Sequence, residues 1–200
     1  VKRLAIAIIL GLGVAVAVVA AFIMADWTNP FGTPYRAEGG PVPIGGPFTL
    51  VGEGGRAVSS EQFRGKWRLI YFGYTHCPDA CPTALNDIGV ALDMLKARAD
   101  TVAPIFISVD PDRDTPAVVT AYARQFSPRI MGLTGTDAQI GAAEKEFHVY
   151  AARHPSPGGG YTMDHSNIIY VMDPKGHFAG IIDGSANPED IAAQVGKFEA

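Results

Sequence analysis

Cys77 and Cys81 are the only two cysteines in this 200-residue chain, four positions apart in Thr75-His76-Cys77-Pro78-Asp79-Ala80-Cys81-Pro82. The run before them, Arg68 to Tyr74 (RLIYFGY), is β-branched and aromatic and predicts a buried strand, while Pro82 to Lys96 predicts a helix. The pair therefore falls where a strand hands over to a helix. Unpaired N–H donors and the positive end of the helix dipole favour thiolate there. An i, i+4 spacing puts both sulfurs on one side of a helical stretch and permits either a two-sulfur metal chelate or a disulfide. Redox pairs usually use C-x-x-C, and the extra residue of C-x-x-x-C lets two thiolates spread around a metal. Two thiolates make a soft site suited to Cu(I), which accepts two or three ligands. The alternative is an inert disulfide in an oxidising compartment, although a loop this short contributes little stability.

A third ligand must come from elsewhere, so the elements that position it matter. Phe48 to Val51 followed by Gly52 to Gly55 predicts an opening hairpin. In the helix from Pro82, Leu85, Ile88, Leu92 and Leu95 share one face. Val102 to Val109 reads as a second central strand, and Thr115-Pro116 supplies an N-cap and first-turn proline for a helix carrying Val118, Val119, Tyr122 and Phe126. Met131 to Leu133 is a short strand. Thr136 to Gln139 has the pattern of a capping box before a helix with Ile140, Ala143 and Phe147 inward. Ile168 to Met172 and His177 to Ile182 predict a hairpin, and Asn187 to Asp190 caps a last helix with Ile191, Val195 and Phe198 inward. This alternation implies an α/β, thioredoxin-like fold, with an N-terminal β-hairpin and helices on both faces of a mixed sheet. Its active position is the C-terminal end of a central strand, where the cysteines stand.

Of the five histidines, His76 abuts the pair but its side chain would need to turn back past Cys77, His148 ends a helix, His154 precedes a Pro/Gly loop, and His177 belongs to a hairpin. Each reads as an ordinary surface or partly buried side chain. His165 is different, because Asp164-His165-Ser166-Asn167 enters the strand Ile168 to Met172. In a thioredoxin-like fold that turn faces the cysteine loop and ordinarily carries a cis-proline. No proline lies there, and a histidine in its place can reach a metal held by Cys77 and Cys81. Pro157 to Gly160 upstream reads as a permissive, mobile linker.

The rest of the chain sets the compartment. Residues 4–25 hold no charged side chain. As a helix they span roughly 33 Å, slightly more than a bilayer's hydrocarbon core. Residues 1–26 are accordingly expected to be an uncleaved transmembrane anchor, with Lys2 and Arg3 on the cytoplasmic side. Residues 28–47 contain five prolines and five glycines, a linker composition. The expected division is therefore an anchor over 1–26, a linker over 27–46 and a folded domain over 47–200. About 150 residues bury enough surface to be stable without staples, so the cysteines are not needed for folding. Beyond Lys2 and Arg3 the chain has 14 basic against 20 acidic residues, which argues against a nucleic-acid or anionic-lipid surface. No Arg- and Ser-rich transit peptide precedes the apolar run, which fits a bacterial inner membrane with the domain in the periplasm.

Three segments, Phe72 to Leu85 (FGYTHCPDACPTAL), Asp110 to Pro116 (DPDRDTP) and Asp164 to Gly176 (DHSNIIYVMDPKG), closely resemble the signatures of the Sco/SenC copper chaperones. Ala80 stands where many members have valine. The resemblance runs from about Gly45 onward and implies a thioredoxin-like domain that binds copper through Cys77, Cys81 and His165. It also implies the copper-A subunit of cytochrome c oxidase and other copper chaperones as partners. The protein is then a metallochaperone rather than an enzyme. The rival reading is a thiol–disulfide oxidoreductase, with Cys77 attacking and Cys81 resolving, that reduces the acceptor's copper-binding cysteines. A peroxiredoxin-type peroxidase is disfavoured because Thr75 precedes Cys77 by two residues, not three. Asp79 and Asp164 are oxygen donors suited to Cu(II) that no spacing singles out. DPDRDTP reads as an acidic turn capping a helix, with Arg113 paired locally, or as a support for the copper loop.

Overall fold

Leu69, Ile70, Tyr71 and Phe72 point alternately to opposite sides of an extended chain and are all apolar, so their strand needs cover on both faces. The computed structural model, which describes residues 44–156 and 158–199, shows that cover. A hairpin of β1 (Thr49–Val51) and β2 (Ala57–Ser59) leads into the central strand β3 (Trp67–Gly73). Next come α1 (Ala80–Leu95), β4 (Val102–Ser108), α2 (Pro116–Phe126), β5 (Met131–Leu133) and α3 (Asp137–Phe147). A hairpin of β6 (Ala151–Pro155) and β7 (Tyr161–His165) precedes β8 (Ile168–Met172), β9 (Phe178–Asp183) and α4 (Pro188–Glu199).

The main sheet has the order β5-β4-β3-β8-β9. Its first three strands run parallel, and β8 and β9 are antiparallel to their neighbours. On one face Tyr71 stacks on Phe106 at 6.5 Å, Phe106 meets Tyr122 of α2 at 5.6 Å, and Trp67 meets Phe198 of α4 at 6.2 Å. On the other, Phe147 of α3 lies 5.4 Å from Phe72 and 5.5 Å from Tyr170, with Phe48 of the opening segment against it. Ile44 already packs against this core, and Gly45 N–H donates to the Glu146 carbonyl at 2.6 Å.

The caps follow the sequence. Thr115 accepts from Val118 N–H, Thr136 and Gln139 form the reciprocal capping box, and Asn187 accepts from Asp190 N–H. The apolar face of α1 is buried as expected, Leu85, Ile88, Leu92 and Leu95 each contributing about 2 kcal/mol. Three details differ. Helix α1 starts at Ala80 rather than Pro82, because a proline is tolerated where the first-turn N–H has no intrahelical partner. Val118 is 40% exposed while Val119 beside it is buried, because the inward stripe of α2 is centred on Val119, Thr120 and Ala123 and Val118 falls at its outer edge. The segment read as a mobile linker is the turn of the β6–β7 hairpin: Gly159 and Gly160 take φ of 89° and 77°, and Ser156 N–H donates to the Gly160 carbonyl at 3.1 Å. Among the described residues no helix is long and apolar enough to cross a membrane. The anchor read in residues 4–25 lies outside them.

Candidate metal centre

Strand β3 ends at Gly73, and the chain turns through Thr75 and His76 before α1 begins. Cys77 stands just ahead of the helix and Cys81 in its first turn. Asp79, at the N-cap position, makes no side-chain cap. Instead the Cys81 N–H donates to Cys77 Sγ at 3.4 Å, so a sulfur takes up one of the helix's unpaired donors. Cys81 is fully buried and Cys77 half-buried, and both thiols are free. Gly73 makes room for the inner sulfur: a Cβ there would lie 2.6 Å from Cys81 Sγ and 3.0 Å from Phe106.

The last residue of β7 is His165, whose Nε2 lies 3.2 Å from Cys81 Sγ. Its Nδ1 donates to the Ser166 carbonyl at 3.1 Å, which leaves Nε2 as the free lone pair aimed at the sulfurs. Tyr71 and Tyr74 meet the imidazole edge-on at 6.0 and 5.8 Å. The Tyr71 hydroxyl donates to Asn167 Oδ1 at 2.9 Å, fixing the turn just beyond the histidine. The three expected residues thus converge: Cys77, Cys81 and His165 place their ligand atoms within 4.8 Å of one another.

The electrostatics of the pair are asymmetric. Hydrogen bonding from the Cys81 thiol, with smaller help from the backbone N–H groups of Cys81 and Asp79, lowers the Cys77 thiol to about 3 against the opposing effect of burial. The hydrogen bond to Cys77 and its own burial push the Cys81 thiol well up. The first proton leaves easily and the second is held. A soft cation that replaces it gains two thiolates and a neutral imidazole in one pocket.

The other histidines are engaged elsewhere. His76 Nδ1 is 3.1 Å from Thr75 Oγ1 and its ring is exposed. His154 pairs with Asp164 at 3.1 Å, His177 with Asp173 at 3.4 Å, and His148 caps α3 in a left-handed conformation. Asp79 is exposed, and Asp164 is taken by His154.

Sequence reading left DPDRDTP with two roles, and the structure shows both. Thr115 caps α2 and Arg113 pairs with Asp110. The fully buried Asp114 also holds the cysteine loop, accepting from Thr75 N–H at 2.9 Å, Thr75 Oγ1 at 2.6 Å and Ser108 Oγ at 2.5 Å. On its other side the same loop grips β7. The Tyr161 hydroxyl donates to Asp110 Oδ1 at 2.7 Å, and Arg113 Nη1 donates to the Tyr161 carbonyl at 3.0 Å. Tyr71, Tyr74, Asn167 and Tyr161 were not singled out as site residues by sequence. Only their closeness to the motifs signals them, since aromatic side chains in strands ordinarily read as core.

Fold and site together define a thioredoxin-like domain with a cluster of two cysteines and one histidine that could hold a metal ion at the end of its central strand. The chain belongs to the SCO1/SenC family, whose model matches residues 36–199. It is 46% identical over 156 residues to Protein SenC of Rhodobacter capsulatus, a match covering 78% of this chain and 70% of that protein. Against the mitochondrial SCO1 homolog 1 of Arabidopsis thaliana it is 40% identical over 140 residues, which is 70% of this chain but only 42% of that longer protein. The copper-bound ScoI of Bradyrhizobium japonicum superimposes with a TM-score of 0.72 at 45% identity, over 78% of this chain and 99% of that one. The structure of BsSco, described with a disulfide switch and as a member of the Sco family of cytochrome c oxidase assembly proteins, superimposes with a TM-score of 0.63 at 25% identity, over 81% and 97% of the two chains.

Proposed function

We propose that this chain is a copper chaperone in which Cys77 and Cys81 hold copper as thiolates, His165 completes the site, and the cargo passes to the copper-A centre of cytochrome c oxidase. The convergence of two sulfurs and one imidazole nitrogen within 4.8 Å carries the reading. The copper in a relative of the same fold supports it. The sulfurs favour Cu(I), and the nitrogen makes the same site hospitable to Cu(II). Transfer proceeds by ligand exchange, an incoming cysteine or histidine displacing His165 before the thiolates. Residues 1–26 act as the anchor, 27–46 as the tether and 47–200 as the copper domain, on the periplasmic side of a bacterial inner membrane. Tethering raises the domain's effective concentration beside a membrane-embedded acceptor. Anaerobic titration of the reduced protein with Cu(I) and Cu(II) tests the reading. One equivalent of each is expected, with Cu(II) binding lost in His165→Ala and both lost in Cys77→Ser; an unchanged His165→Ala variant overturns the ligand set.

The contrast between an accessible Cys77 thiolate and a buried Cys81 favours a second activity at the same site. Cys77 attacks a disulfide of the acceptor, releasing one acceptor thiol, and Cys81 then attacks the mixed disulfide. The products are a Cys77–Cys81 disulfide and a second acceptor thiol. Reductase activity that survives His165→Ala while copper binding does not separates the two.

A further inference from the structure

The strand that delivers His165 belongs to a sheet of its own. Among the described residues β6 and β7 pair only with each other, with Ala151 opposite His165 and Pro155 opposite Tyr161, and no ladder joins them to the five-stranded sheet. Alternation along β7 puts Tyr161, Met163 and His165 on one face. At the far end of that face the Tyr161 ring lies between two guanidinium groups, Arg113 Cζ at 3.8 Å and Arg153 Cζ at 4.1 Å from its centroid. Arg153 comes from β6 and ties back to Asp112 at 2.7 Å. Arg113 comes from the loop whose Asp114 holds the cysteine turn. Its Nη2 is buried and has no hydrogen-bond partner among the described residues, so this guanidinium is an expensive group to place for stability alone.

Resting on the chaperone reading, we propose that Tyr161, clasped between Arg113 and Arg153, is a positioning residue that sets the distance from His165 to the two sulfurs. The clasp holds the strand by one end, and a β-strand is stiff enough to carry that constraint four residues along to the imidazole. The loop from Asp110 to Asp114 fixes the cysteine turn with one carboxylate and the histidine strand with another, so it registers the two halves of the donor set. Copper(I) is satisfied by the two thiolates, whereas Cu(II) requires the nitrogen. The clasp thereby governs which oxidation state the site retains.

The full chain in detergent, as Tyr161→Leu, Tyr161→Phe, Arg153→Ala and His165→Ala variants, tests this. In the metal-free Tyr161→Leu protein, amide exchange in β6 and β7 is expected to accelerate about tenfold while β3 and β4 keep their protection. Its Cu(II) affinity is expected to fall about tenfold, with loss of nitrogen superhyperfine splitting in the EPR spectrum, while Cu(I) affinity stays within about threefold. Tyr161→Phe keeps the stacked ring and is expected to restore the splitting. Arg153→Ala, which removes only the outer guanidinium, is expected to show a weaker form of the same Cu(II) loss and serves if Tyr161→Leu does not fold. Parental Cu(II) affinity and splitting in both Tyr161→Leu and Arg153→Ala, alongside a defective His165→Ala, overturns the clasp and leaves the chaperone reading standing. A His165→Ala protein with parental Cu(II) binding removes both.

Discussion

Cys81 Sγ and His165 Nε2 stand 3.2 Å apart across 84 residues of sequence. The contact joins the first turn of α1 to the last residue of β7, two elements that share no hydrogen-bond ladder. It exists because β3 and β8 are neighbours in the sheet, so the turn leaving one and the turn entering the other emerge side by side.

The unequal thiols have a direct chemical signature. With its thiol lowered to about 3, Cys77 is a thiolate at pH 5 and above, whereas Cys81, whose thiol is pushed up, stays protonated and buried. Iodoacetamide at pH 5 is expected to label Cys77 in the reduced, metal-free protein and spare Cys81, as read by peptide mass mapping. Equal labelling of the two contradicts the asymmetry.

Gly73 is expected to be intolerant of any side chain. An added methyl would sit 2.6 Å from Cys81 Sγ, and overpacking of this kind costs about 2 kcal/mol. Gly73→Ala should therefore lower the urea midpoint. It should also weaken Cu(I) binding about tenfold, because metal donors tolerate only about 0.5 Å of displacement.

Asp114→Ala removes the acceptor for three donors at once. Leaving Thr75 N–H, Thr75 Oγ1 and Ser108 Oγ without it is expected to cost about 3 kcal/mol in urea unfolding. An effect below about 1 kcal/mol would mean that water replaces the carboxylate.

Glu144 offers a pH test away from the site. Burial raises its carboxyl to about 6 from 4.5, so the native state binds this proton more tightly than the unfolded chain. Below pH 4.5 both states are protonated and nothing is lost; as pH rises through 6 the folded state progressively loses stability relative to the unfolded one. Allowing for solvent at this half-buried group, the loss is about 1 kcal/mol. Glu144→Gln is expected to recover it at pH 7.5 and to change nothing at pH 4, measured by urea titration at both values.

The scaffold was largely legible because its signals are local. Apolar runs marked β3 and β4, the i, i+3, i+4 pattern of Leu85 to Leu95 marked α1, and Thr115, Thr136 and Asn187 marked the caps. The three side chains that converge at the candidate site were also legible, two from their spacing and one from its place before β8. The β6–β7 hairpin was not: β7 alternates half-buried with exposed positions, but none of its side chains is fully buried and β6 is mostly exposed, so neither strand carries an apolar run. The Tyr161 clasp and the grip of Asp114 on Thr75 escaped for a related reason. Such polar and cation–π contacts join residues distant in the chain and leave no periodic trace.

The isolation of the β6–β7 ribbon also bears on how such a domain can diversify. Insertions between Pro155 and Tyr161 lengthen the ribbon at the end away from His165 and leave the central hydrophobic layers as they are. Sequence drift there is free to reshape whatever the ribbon's tip meets without re-engineering the fold beneath it.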